Sequence, residues 1–121
     1  MQYALLIYTK PGTVESLSPA EREALTADYY ALRDEPGILS GAGLQPVTTA
    51  TTIRLADGQP LVTDGPFADT KEQLGGIVII DVPDLDSALE WARQAPPASW
   101  GTVEVRPGAV HIEAGAWVPS S

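Results

Sequence analysis

Asp64, Asp69, Lys71, Glu72 and Gln73 place four charges and an amide within ten residues, inside the stretch from Leu61 to Gly76. A connector needs only a turn, so this density of ionisable groups marks a candidate site. Asp64 precedes Gly65-Pro66 and is the candidate carboxylate, acting as a general base or orienting a bound ligand. An aspartate in that position also shapes a loop by accepting backbone N–H bonds in an Asx turn. Lys71, Glu72 and Gln73 suit an anionic or polar ligand. They equally suit an ion pair and hydrogen bonds that close the loop, or dock it across a subunit interface. Arg54 reads as an ion-pair partner for Asp64 or Glu72, or as a clamp on a ligand carboxylate. Asp64, Asp69 and Glu72 lack the spacing of a calcium loop and have Lys71 among them, so no metal is expected.

Composition removes other chemistries. The chain has no cysteine, which excludes disulfides, thiolate metal sites and thiol nucleophiles. His111 is its single histidine, so no multi-histidine metal site exists. No serine motif, phosphate loop or dinucleotide fingerprint is present, and no cofactor is expected. A formal charge of −9, from 16 acidic and 7 basic residues, disfavours a nucleic-acid partner by repelling phosphates. No stretch approaches the roughly 20 apolar residues of a membrane span. The first apolar run, Tyr3 to Tyr8, is shorter than a signal-peptide core. Cytoplasmic residence is the expectation.

The elements that position the candidate site follow from periodicity. At 121 residues the chain forms one domain. Tyr3–Tyr8 reads as a central strand. Ser18-Pro19-Ala20-Glu21 is a capping box opening a helix to about Asp34, with Leu25, Tyr29 and Leu32 buried and Ala24 and Ala31 widening the stripe. Residues 38–46 read as a second strand. Residues 51–56 and 59–63 pair across Asp57-Gly58, whose types suit a turn needing positive φ. In the loop at 64–74, Asp69 or Thr70 is expected to cap a single helical turn. Residues 76–82 form a second central strand. A helix follows over 84–94 with Leu85, Ala88, Leu89 and Ala92 buried, then a strand over 102–106. Trp91 and Trp100 read as packing residues.

The order β-α-β, hairpin, β-α-β predicts an α+β fold of ferredoxin-like βαββαβ plan with an inserted hairpin. Two helices would lie on one face of an antiparallel sheet. The other face has no helix to cover it, and exposed apolar area is costly at roughly 25 cal/mol per Å². A homodimer through that face, as a dimeric α+β barrel, is the expected remedy. Residues 110–118 are expected to add a short strand or to lie on a partner chain. His111, between Val110 and Ile112, is expected to face solvent.

Tyr3–Tyr8, Leu44-Gln45-Pro46, Thr51–Arg54 and above all Thr63–Gly76 resemble the DGPF branch of the YCII-related family. Val103–Pro107 resembles the usual end of that domain. The resemblance covers residues 1–107 and leaves 108–121 as a C-terminal extension, packed on the domain or on a partner subunit. It implies a ferredoxin-like subunit of a dimeric α+β barrel. Some relatives in the wider superfamily are enzymes for which a His–Asp pair has been proposed. That histidine would fall near Leu25 or Thr26, where this helix has none. The His–Asp mechanism therefore does not carry over.

Two functions from different classes remain. One is a small-molecule-binding or regulatory dimer, its pocket lined by the Asp64–Gln73 loop and the sheet. The other is a cofactor-free lyase or isomerase acting on a small polar or aromatic metabolite. Asp64 would then be the general base, with Arg54 or Lys71 stabilising charge.

Overall fold

Every second residue of the first strand is buried, and that alternation organises the molecule. In β1 (Gln2–Thr9), Tyr3, Leu5 and Ile7 are buried while Ala4, Leu6 and Tyr8 are half-buried. The computed structural model describes residues 1–95 and 101–121. Along the chain follow α1 (Pro19–Ala31), β2 (Ile38–Gly43), β3 (Thr51–Ala56), β4 (Gln59–Asp64) and β5 (Gln73–Asp81). Then come α2 (Leu85–Gln94), β6 (Thr102–Pro107), β7 (Val110–Glu113) and β8 (Ala116–Pro119). Four strands form one antiparallel sheet in the order β2-β5-β1-β6. The pairs β3-β4 and β7-β8 stand as separate two-stranded ribbons. The architecture is α+β with two helices and antiparallel sheets, consistent with the ferredoxin-like plan.

Register sorts the sheet into two faces. Leu5 lies between Val78 and Val105, and Tyr3 lies opposite Ile80. These residues meet Ala88 and Ala92 of α2, with Tyr29 of α1 packed against the same cluster. Burial raises the pKa of the Tyr29 phenol. The other face presents Ala4 opposite Ile79 and Leu6 opposite Ile77, then Glu104 and Arg106 on β6. Both helices lie on the first side. No helix among the described residues is long and apolar enough to cross a membrane.

Both helices begin as their sequences predict. The Ser18 hydroxyl accepts from the Glu21 N–H at 3.2 Å, and the Ser18 N–H donates to Glu21 at 3.0 Å. The Asp84 carboxylate accepts the Ser87 N–H at 2.8 Å and the Ser87 hydroxyl at 2.7 Å. These bonds favour the ionised carboxylates, so the pKa of each is lowered, mainly by the backbone bond.

Several expectations change. Ala24 and Ala31 are exposed; in α1 Leu25 and Tyr29 are half-buried and Tyr29 packs against the core, while Leu32, half-buried, caps the helix. Leu85, the first residue of α2, is also exposed. The second strand stops at Gly43, and a 3-10 turn over Val47–Thr49 precedes β3. The loop from Gly65 to Glu72 contains no helical turn. There the Thr70 hydroxyl bonds to the Glu72 carbonyl instead of capping free N–H groups. Trp91 is half-buried, and its indole N–H donates to the Pro36 carbonyl at 3.2 Å. Pro96, Pro97 and Trp100 lie outside the described residues.

Candidate functional site

The sheet has two ends, and each carries a ribbon. At one end Thr9 pairs with Gln73 and Tyr8 with Thr102. Here the 65–72 loop joins the β3-β4 ribbon to β5. At the other end Gln2 pairs with Asp81 and Tyr3 with Pro107, beside the β7-β8 ribbon. At about 3.3 Å per residue, the length of β1 separates these ends by roughly 23 Å.

The sequence-predicted residues all lie at or near the loop end, but they are not brought together. Asp64 is exposed at the last position of β4, opposite Thr51. Gly65 continues the ribbon: its N–H donates to Ala50 at 2.7 Å and its carbonyl accepts the Thr52 hydroxyl at 2.8 Å. Among the described residues no hydrogen bond reaches the Asp64 carboxylate, so it makes no Asx turn. Arg54 pairs with Leu61, three positions along β3 from the residue opposite Asp64. Side chains alternate along a strand, so this odd spacing puts Arg54 and Asp64 on opposite faces of the ribbon. Within one chain Arg54 therefore forms no pair with Asp64.

Glu72 is engaged structurally. Its half-buried carboxylate accepts the Thr102 hydroxyl at 3.0 and 3.1 Å. That bond reaches across the end of β1 and ties the loop to β6. Gln73 is half-buried as the first residue of β5, while Asp69 and Lys71 are exposed. Among the described residues, no group of three or more His, Cys, Asp or Glu side chains is arranged to hold a metal ion.

The larger concavity lies at the opposite end. A groove of about 450 Å³ runs between the uncovered sheet face and the tail ribbon. Ala4, Ser40 and Ile79 form one wall, and Val110, His111 and Ile112 the other. A smaller depression of about 110 Å³ sits by Leu32, Glu35, Trp91 and Gln94.

His111 is a correction to the sequence reading. It is half-buried, and its Nδ1 lies 3.0 Å from the Ser120 hydroxyl, while Val110 and Ile112 are 55% and 62% exposed. The ribbon turns its polar side inward because Ser120, only 4% exposed, offers the ring a partner there. Three backbone bonds hold this arrangement. Gly108 donates to Gln2 at 2.8 Å, Gln2 to Ser120 at 3.0 Å, and Ser120 to Ala109 at 2.9 Å. A Cβ on Gly108 would sit 2.9 Å from the Ser120 hydroxyl oxygen, so glycine lets the segments close. No motif flagged His111. The signal available was the alternation of Val110-His111-Ile112 before Ala114-Gly115.

The model of the YCII-related domain matches residues 1–108. The chain belongs to the YCII-related family. It is also 42% identical over 117 residues to Uncharacterized protein R00369 of Rhizobium meliloti (strain 1021), covering 92% of this chain and 94% of that protein. The Asp64–Gln73 loop falls inside the YCII-related match, whereas His111 and Ser120 fall beyond it.

Proposed function

We propose that this YCII-related protein, by its Thr63–Gly76 motif a member of the DGPF branch, is a homodimer that binds a small polar or aromatic metabolite as a non-catalytic or regulatory module. The uncovered sheet face carries the proposal. Ala4, Leu6, Ile77 and Ile79 sit on it together, with both helices committed to the other side. Ile53, Leu55 and Val62 are 68%, 75% and 60% exposed on one side of the β3-β4 ribbon, and Phe67, in the loop that follows it, is 77% exposed. A stable interface buries about 800 Å² per partner. Sheet face and ribbon together supply the apolar side chains for one, worth roughly 25 cal/mol per Å² removed from water. This copy-on-copy packing is the dimeric α+β barrel, with residues 1–107 as its domain and 108–121 as an extension.

In that assembly Lys71 and Gln73 lie at the rim of the covered face, where a ligand would be enclosed by loop and partner. The catalytic alternative needs Asp64 as a base held in an apolar pocket. An exposed carboxylate at a ribbon end gives that alternative no support.

Light scattering at micromolar concentration tests the assembly. The expected result is twice the mass of one chain for the wild type and a single-chain mass for the Leu6→Lys/Ile77→Lys variant. A monomeric wild type would sink the proposal. A thermal-shift screen of metabolites on wild type and Asp64→Asn then tests the loop. A ligand that stabilises both equally removes Asp64 from the binding site.

A further inference from the structure

We propose that the groove at the tail end is a second binding site, for a small organic monocarboxylate whose apolar body lies on the sheet face and whose carboxylate meets His111. The groove lies at the other end of the sheet from the Asp64 loop, and its sheet wall shares Ala4 and Ile79 with the face proposed for the dimer.

Its size is that of a small-molecule site, since ligand pockets span roughly 300–1,000 Å³, and this groove measures about 450 Å³. Its body is apolar, with Ala4, Leu39, Ile79, Val110 and Ile112 on the walls. Its polar fringe consists of Gln2, Ser40, His111 and Ser120, each able to donate a hydrogen bond. None of the 16 acidic residues lines it, although the chain carries a net charge of −9. The only histidine of the molecule does. Charged groups at this end stand outside the lining. Arg106 is paired with Glu104 on β6, Asp81 with the Met1 amino group at the end of β5, and Glu113 sits at the ribbon turn.

The ring is held for this task. Ser120 fixes Nδ1 at 3.0 Å, and Gly108 and Gln2 fix Ser120 through the backbone. Nε2 remains, and among the described residues no hydrogen bond uses it. In the tautomer in which the Ser120 hydroxyl donates to Nδ1, Nε2 carries the proton and can donate to a ligand. A hydrogen bond from that donor to an anionic carboxylate is stronger than one to a neutral head group.

A single histidine makes the test direct, because its ring C–H signals in a proton NMR spectrum need no assignment. Benzoate titrated into the protein is expected to shift these signals saturably. Benzamide is expected to bind at least about tenfold more weakly, a difference of about 1.4 kcal/mol. Ile112→Glu places a carboxylate on the groove wall at an exposed position, so the fold tolerates it. This variant is expected to lose benzoate binding while keeping the wild-type spectrum elsewhere. His111→Gln, followed through the benzoate signals, is expected to lose at least about tenfold as well.

Absence of a saturable shift at millimolar benzoate overturns the proposal. Equal affinity for benzamide overturns the carboxylate assignment. Unchanged binding to both variants places the probe elsewhere. If the His111 signals move with protein concentration and not with benzoate, a second copy of the chain fills the groove and the proposal fails. That outcome leaves the dimer itself standing, and a monomer that binds benzoate would do the reverse.

Discussion

The loop end and the tail end of the sheet each carry a two-stranded ribbon, but they use polar residues in opposite ways. At the loop end Asp64, Asp69, Lys71 and Arg54 are all exposed, and only Glu72 is tied down, by Thr102. At the tail end a few polar groups, Ser120, His111 and Gln2, are locked to one another beside an apolar groove. Charge density is high where enclosure is low. A side chain in water gains little from its charge, whereas partial burial strengthens each interaction it makes. In a single chain the tail end is thus the more enclosed of the two, and the loop end stands open to solvent.

Glycine substitutions probe that contrast with the largest expected effects. Gly108→Ala forces a Cβ to within 2.9 Å of the Ser120 hydroxyl oxygen. Overpacking of this kind costs about 2 kcal/mol, read as a lower urea midpoint, and the His111 ring signals should move with it. Gly65→Ala at the loop end meets nothing within 4 Å, but its φ of +101° disfavours a side chain. That strain costs about 1 kcal/mol and should leave His111 untouched. If Gly65→Ala disturbs His111 as much as Gly108→Ala does, the ends are not separate units.

A smaller effect tests the one tie at the loop end. Thr102→Val removes the hydroxyl that both Glu72 oxygens accept. Losing such a bond costs about 1 kcal/mol, and amide exchange in residues 65–72 should rise while the β7-β8 ribbon stays protected. Unchanged exchange would mean that the bond does not hold the loop.

The two ribbons also show what the sequence made legible. Both turn through two residues at positive φ: Asp57 at 52° with Gly58 at 77°, and Ala114 at 50° with Gly115 at 82°. Asp-Gly is the residue pair such turns favour, so β3-β4 was readable to within a residue. Ala-Gly carries no such signal, because alanine gains no local hydrogen bond in the left-handed region. The second ribbon, and with it the inward side of His111, therefore stayed hidden. Central strands and helix caps followed from periodicity and capping chemistry. The loop residues were legible as types but not as a site. Whether Arg54 meets Asp64 depends on odd or even spacing in a register that one strand alone does not reveal.

The smallest expected effect asks whether the ends differ in their helices as well as their ribbons. α1 begins on the side where β1 ends, the loop end, and α2 begins where β5 ends, the tail end. Each start holds a carboxylate whose pKa is lowered by hydrogen bonds, Glu21 through Ser18 and Asp84 through Ser87. A carboxyl with a lower pKa folded than unfolded adds stability above its unfolded pKa. That contribution disappears as pH falls through the folded value. Urea midpoints should therefore fall from the ordinary carboxylate range downward, and Asp84→Asn and Glu21→Gln should each flatten the fall slightly. Both caps are fully solvated, so the two effects should be small and alike. A much steeper loss from one cap would show that the asymmetry of the ends extends into the helices.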